Sequence, residues 1–261
     1  MQRSLVGSEM CIRDRLLAAT AVSMDFWNVR VEDVLVGQES SSYRVNGEIP
    51  VIPLESFSDE VASAMEDVSQ KMEEQDLYLN SSPGYWLRTF DRWADCEEFI
   101  GFPLNNPLEK SSLLETANYF AIAQDAETLN EESQRHCAVA LQGNIKGELQ
   151  HVTIDTGYLM GPIRIQMTVS LYPEGSGMEP GTGGSWNGEA EFEITSGVTG
   201  EGIPYTLVVS ETPESDYYND FSSADAYFVL KNGLYTLDAV SPGRDSGADA
   251  KAALEELLAL F

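Results

Sequence analysis

The clearest pattern in the chain is a strict alternation between residues 163 and 171. Ile163, Ile165, Met167, Val169 and Leu171 are apolar, and Arg164, Gln166, Thr168 and Ser170 stand between them. A period of two puts each set on its own face, so the stretch predicts a half-buried β-strand. Near the start, Trp27, Val29 and Val31 alternate within Phe26–Val36 and predict another strand. Residues 37–55 are polar and hold Pro50 and Pro53, which predicts loop or a short edge strand. The period then changes. Val61, Met65, Val68 and Met72 recur at helical spacing behind Ser56-Phe57-Ser58-Asp59, an N-cap sequence, and predict a helix over about 57–75. Trp86, Phe90, Trp93 and Cys96 keep that spacing and predict a second helix over 85–99, ended by Gly101, Pro103 and Pro107. Ser112-Leu113-Leu114-Glu115 has the form of a capping box. A third helix is expected from there, with Leu113, Ala117, Phe120 and Ala121 on one side, ending before Cys137.

From Cys137 onward the period is two. Beyond the 163–171 strand, Pro173 to Gly184 reads as a Gly- and Pro-rich loop. Trp186, Gly188, Ala190, Phe192 and Ile194 alternate again, with Glu189, Glu191 and Glu193 on the opposite face. Tyr205–Val209 is a further strand. Tyr227–Leu230 and Leu234–Val240 flank Lys231-Asn232-Gly233, so a hairpin turning on Asn-Gly is expected. The chain closes on a helix over about 248–260 with Ala250, Ala253, Leu254, Leu257, Leu258 and Phe261 along one face. Early helices, late strands and a terminal helix predict an α+β fold: an antiparallel sheet with N-terminal helices and one C-terminal helix packed on it. The expected organisation is one domain over 25–261, with an early helical part at 55–135 and a late sheet part at 137–261.

The first residues stand apart. Leu5-Val6-Gly7-Ser8-Glu9-Met10-Cys11-Ile12-Arg13-Asp14 resembles a sequencing adapter translated in one frame, so residues 1–14 read as non-native and the true start as lying upstream. Residues 15–24, apolar and small from Leu16 to Ser23, suit the remnant of a signal peptide with Ala19-Thr20-Ala21 as its cleavage site. An ordinary helical turn or strand fits them almost as well.

Charge narrows the partners. With 43 acidic against 15 basic residues the net charge is −28, which repels nucleic acid and anionic lipid. No stretch approaches the roughly 20 apolar residues of a membrane-spanning helix. Setting Cys11 aside with its segment leaves Cys96 and Cys137, an even pair that suits a disulfide in an oxidising compartment; two buried thiols in a cytosolic protein are the other reading.

Candidate chemistry is sparse. His136 and His151 cannot supply a zinc-protease motif, and no nucleophile elbow occurs. A His136–Cys137 dyad is disfavoured, because neighbours on a strand point to opposite faces. Gly175-Ser176-Gly177 and Gly181-Thr182-Gly183-Gly184 lack the lysine of a phosphate loop. No catalytic or cofactor-binding residue is therefore predicted. Glu189, Glu191 and Glu193 form a solvated acidic face, or else a weak calcium site or a patch for a basic partner. Trp86, Phe90 and Trp93 read as core rather than as a ligand platform.

Cysteine placement, the late antiparallel strands, the Asn-Gly hairpin and the Ala/Leu-rich terminal helix together resemble actinobacterial extracytoplasmic proteins. The pattern is similar to cell-envelope lipoproteins of unknown function and to the external sensor domain of certain mycobacterial receptor kinases, over roughly residues 85–261. That resemblance implies a disulfide, a sheet backed by helices and no catalytic residues. The lipobox cysteine of such lipoproteins has no counterpart here, so an anchor would lie upstream. The expected function is an extracytoplasmic domain that binds or senses a small molecule or protein. The alternatives are a secreted hydrolase, whose two carboxylates would stand about 5–10 Å apart, and an acidic cytosolic protein of a salt-adapted cell.

Overall fold

In the computed structural model, residues 29–37, 40–74, 84–119, 134–144, 146–187, 190–211, 221–242 and 247–261 are described. Residues 1–14 and 15–24, and most of the third expected helix, lie outside them.

Among the described residues, thirteen strands form two sheets. Three short strands, β1 (Val29–Val36), β2 (Ser40–Gly47) and β9 (Thr182–Asn187), make a small antiparallel sheet in the order β1-β2-β9. The large sheet is built from two meanders. One runs from β4 (Gly84–Phe90) through β6 (Cys137–Gly143) and β7 (Leu149–Met160) to β8 (Ile163–Pro173). The other runs through β10 (Glu191–Val198), β11 (Pro204–Glu211), β12 (Phe221–Leu230) and β13 (Gly233–Pro242), and β13 pairs with β8 to join the two. Two minor strands attach at the side: β3 (Val51–Ile52) lies parallel to β8, and β5 (Glu115–Ala117) antiparallel to β7.

Each face of the large sheet has its own cover. Residues at alternate positions, such as Val152, Ile154, Ile165, Met167, Leu237 and Phe228, are fully buried beneath three helices. Helix α1 (Asp59–Glu74) contributes Val61, Ala64, Met65 and Val68; α2 (Trp93–Ile100) contributes Trp93, Cys96, Phe99 and Ile100. Helix α3 (Gly247–Leu258) lies on β12 and β13 through Ala250, Ala253, Leu254, Leu257 and Leu258, the face its spacing predicts. Phe261, just beyond it, is buried with its ring edge-on to Phe228 and Tyr235. Burying one such large side chain stabilises the fold by about 1.5–3 kcal/mol. On the other face Val29, Val31, Tyr43 and Val45 of the small sheet, with Ile49 just after β2, pack against Tyr172, Val208, Tyr227 and Leu234. Among the described residues no strand pairing joins the two sheets. The architecture is thus α+β, as expected: a large antiparallel sheet with helices on it. No helix among the described residues is long and apolar enough to cross a membrane.

The cap of α1 is placed as predicted. The Ser58 hydroxyl accepts from the Val61 backbone amide at 3.2 Å. Ser58 also ties α1 to the end of α2, its amide donating to Ile100 O at 3.0 Å. Gly101 closes α2 with φ +102°, and a β-carbon there would stand 2.8 Å from the Ser58 nitrogen, so both conformation and space require glycine.

Several expected elements differ. Residues 84–90 form strand β4 rather than the start of a helix. Spacing of four is also even, so Trp86 and Phe90 share a face of a strand as readily as of a helix, and pairing with β6 decides the outcome. Phe90 and Trp93 are core, and Trp86 stacks on Phe99 at 5.1 Å. Residues 112–119 are not helical; they form a turn and β5. The early part of the chain therefore supplies strands to the sheet that was expected only after residue 137. Residues 40–47 are the full strand β2, where Ser41, Tyr43 and Val45 alternate inward. Trp186–Ile194 is not one strand but the end of β9 and the start of β10. In the hairpin, Leu230 pairs with Gly233, so the two turn residues are Lys231 and Asn232, with Lys231 at φ +52°.

Candidate functional site

The main polar constellation in the helix-covered core surrounds the two cysteines. Cys137 opens β6 and faces Thr156 across the ladder to β7. Cys96 reaches the same spot from α2. Both are free thiols in this structure, both are completely buried, and they interact directly with each other. The Thr156 hydroxyl lies 3.6 Å from the Cys137 sulfur.

His136 joins them, contrary to the alternation argument. Arg135 and His136 form a bend before β6 begins, so the extended-strand rule does not yet apply to them. The imidazole lies over the Cys137 side, with Nε2 3.1 Å from the Thr156 hydroxyl. Its Nδ1 faces the Ala117 carbonyl at 2.8 Å and its Nε2 the Glu109 carboxylate at 2.6 Å. Two acceptors on the two ring nitrogens require a proton on each, and hence an imidazolium. Burial alone would lower its pKa, but the hydrogen bonds to Cys137 and Glu109 outweigh burial and raise it to about 10. Glu109 sits in the 3₁₀ turn Pro107–Lys110, where the Asn106 side chain caps the Leu108 amide at 3.2 Å. Tyr158 donates to Glu109 at 2.8 Å and accepts from the Asn106 amide at 2.8 Å. The Glu109 carboxyl is held below its ordinary range, chiefly by the bond from His136.

The two thiols are made unequal by these contacts. The bond from Cys96, followed by the nearby imidazolium, lowers the Cys137 pKa; the bond to Cys137 and burial raise that of Cys96. Chemically this is a buried dithiol with a charged histidine beside it. An open cleft of about 570 Å³ lies next to it, lined by Asp91, Thr116, Asn118, Gln134, Arg135 and His136.

A second constellation lies on the opposite face of the large sheet. Asp225 of β12 and Asp238 of β13 stand directly across from each other and share a hydrogen bond. The Tyr43 hydroxyl of the small sheet donates to Asp225 Oδ2 at 2.9 Å and lies 2.6 Å from the Tyr227 hydroxyl. Asp155 of β7 is nearby, accepting from Thr168 at 2.5 Å and Gln166 at 3.3 Å. Sequence reasoning passed over these aspartates. In an acidic chain a single Asp carries no signal, and only the β12–β13 register reveals that two of them meet.

The predicted acidic stripe is only partly assembled. Glu191 and Glu193 are exposed on one side of β10, and Glu193 is paired with Lys251 of α3 at 2.6 Å. Glu189 lies outside the described residues. Among the described residues no three His, Cys, Asp or Glu side chains converge to hold a metal ion. His151 stacks on Tyr172 at 4.8 Å, and burial lowers its pKa to about 4, so its ring is neutral.

Fold and sites together define an α+β protein whose long sheet carries a different polar cluster on each face. No family model matches the chain, and no curated protein sequence or solved structure matches it significantly.

Proposed function

We propose that the protein is an extracytoplasmic domain that binds or senses a ligand or partner and performs no reaction of its own. The observation that carries this reading is the meeting of Cys96 and Cys137 as neighbours in the core. An oxidising compartment would close them into a disulfide that ties α2 to β6. The surroundings of both reactive constellations favour binding over catalysis. The thiols have no exposed surface. Of the aspartate pair that a hydrolase would need, Asp225 is buried and bonded to the Tyr43 hydroxyl. The cleft beside His136 remains as the place for a small polar ligand, with the Arg135 guanidinium and the Asn118 carboxamide on its wall.

The test is the redox state after export. In protein recovered from an oxidising compartment and labelled with a thiol reagent under denaturing conditions, peptide mapping should find no label on Cys96 or Cys137. Label on both Cys96 and Cys137 would remove the main support for an extracytoplasmic role.

A further inference from the structure

A second cleft opens where the chain enters α1, and it shares no lining residue with the cleft beside His136. It encloses about 400 Å³ between the 3₁₀ turn Leu54–Ser56, the start of α1 and Leu149 at the head of β7. Val61 and Met65, one helical turn apart on α1, are buried at its base. Phe57 and Leu149 are half-buried in its walls, and Leu54 is 52% exposed. A cleft of that size with mostly apolar walls falls in the range that takes small molecules, about 300–1,000 Å³.

Its frame is fixed by hydrogen bonds rather than by packing across the gap. The Ser56 amide donates to Pro53 O at 2.9 Å and the Phe57 amide to Leu54 O at 3.2 Å, which closes the turn. Ser58 caps α1, and its amide and hydroxyl donate to the Ile100 and Phe99 carbonyls at the end of α2. The Phe57 ring is held edge-on to Phe102 at 5.6 Å. The turn and α1 are therefore anchored separately, and the apolar surface between them stays open to water. Two acidic side chains, Glu55 and Asp59, complete the lining. Both are exposed, and among the described residues neither makes an ion pair. The cation that reaches this end of α1, Arg88, is taken by Glu60 at 3.3 Å. Asp59 lies in the first turn of α1, where the helix dipole offsets part of its charge, so Glu55 is the stronger attractor for a cation. An anion would meet both carboxylates and a chain of net charge −28.

We propose that this cleft binds a hydrophobic monocation: an ammonium group on a hydrocarbon or aromatic body. The body lies against Leu54, Phe57, Met65 and Leu149, and the ammonium meets Glu55 with Asp59 beside it. Such a site works in either redox state of Cys96 and Cys137 and in any compartment, so its test stands apart from the thiol labelling.

The full chain, labelled at its methyl groups, is titrated by NMR with hexylammonium, hexanol, hexanoate and methylammonium. Hexylammonium should shift the Met65 and Leu149 methyls saturably. It should bind at least about tenfold tighter than methylammonium, because its chain leaves water. It should bind about threefold tighter than hexanol, the range of one exposed ion pair, and hexanoate should be weaker than both. No saturable shift at these methyls overturns the proposal, and so does methylammonium binding as tightly as hexylammonium, which would mean attraction to surface charge alone. Hexanol or hexanoate matching hexylammonium overturns it as well. Ala62 is exposed and lines the cleft, so Ala62→Phe should fill it and abolish the shifts while the Leu257 methyls keep their positions. Shifts that persist in a folded Ala62→Phe protein overturn the site. Should that variant fail to fold, Glu55→Gln decides: the preference for hexylammonium over hexanol should be largely lost, and an unchanged preference overturns the proposal.

Discussion

Reducing the Cys96–Cys137 bond in protein from an oxidising compartment should lower its stability by roughly 4 kcal/mol in the chain-entropy treatment. The two residues are 41 apart in sequence, so the bond restricts a long stretch of the unfolded chain. The folded side of the balance should change little. The reduced thiols already lie against each other with no exposed surface, and the Thr156 hydroxyl and the His136 ring remain in place around them. Bond formation therefore needs little rearrangement, and the cost of reduction falls on the denatured ensemble. Denaturant melts with and without reductant measure it. The midpoint should drop markedly, and an unchanged midpoint in protein whose thiols are shown to be free would defeat the prediction.

Truncating Leu257 to Ala should cost about 2–5 kcal/mol. Its side chain is completely buried on the face of α3 that meets β12 and β13. The size of the loss depends on whether neighbours can collapse into the cavity, and here they are held. Phe261 is fixed between two rings. Its carbonyl accepts from the Glu201 amide at 3.1 Å and from the Thr199 hydroxyl at 2.9 Å, while the Gly200 amide donates to the Leu258 carbonyl at 3.2 Å. The helix is clamped at its end and cannot slide to refill the space, which places the expectation toward the upper part of that range. A urea titration measures the change. A loss below about half a kcal/mol would show that α3 contributes little packing.

What the sequence revealed depended on whether one periodicity excluded the other. The alternation at 163–171 allows no helical reading, and β8 lies there. The terminal helix, spaced by three and four, allows no strand reading, and its six predicted contacts are all buried. Trp86 and Phe90, four apart, satisfy both periods, and only the partner strand settled the matter. Ser41, Tyr43 and Val45 were obscured because a buried serine looks polar in a sequence. The sites were less legible than the fold. The approach of Cys96 to Cys137 was expected, but the addition of His136 depended on a backbone bend that no local residue signalled. The meeting of Asp225 and Asp238 depended on the hairpin register: a turn on Asn232-Gly233 would have set Val240, not Asp238, opposite Asp225.

The single seam between β8 and β13 also bears on how the chain assembles. Within each meander, neighbouring strands are mostly joined by short connections, as at the turns between β7 and β8 and between β12 and β13, and such hairpins close on a microsecond scale. The seam is different. It brings Val240 against Arg164 and Leu234 against Ser170 across the whole of β9 to β12. Its loop-closure entropy must be met before any of its hydrogen bonds form. Two locally ordered halves docking late along one line is the route this topology favours, and until they dock the facing edges of β8 and β13 stand open as templates for mispairing with another chain.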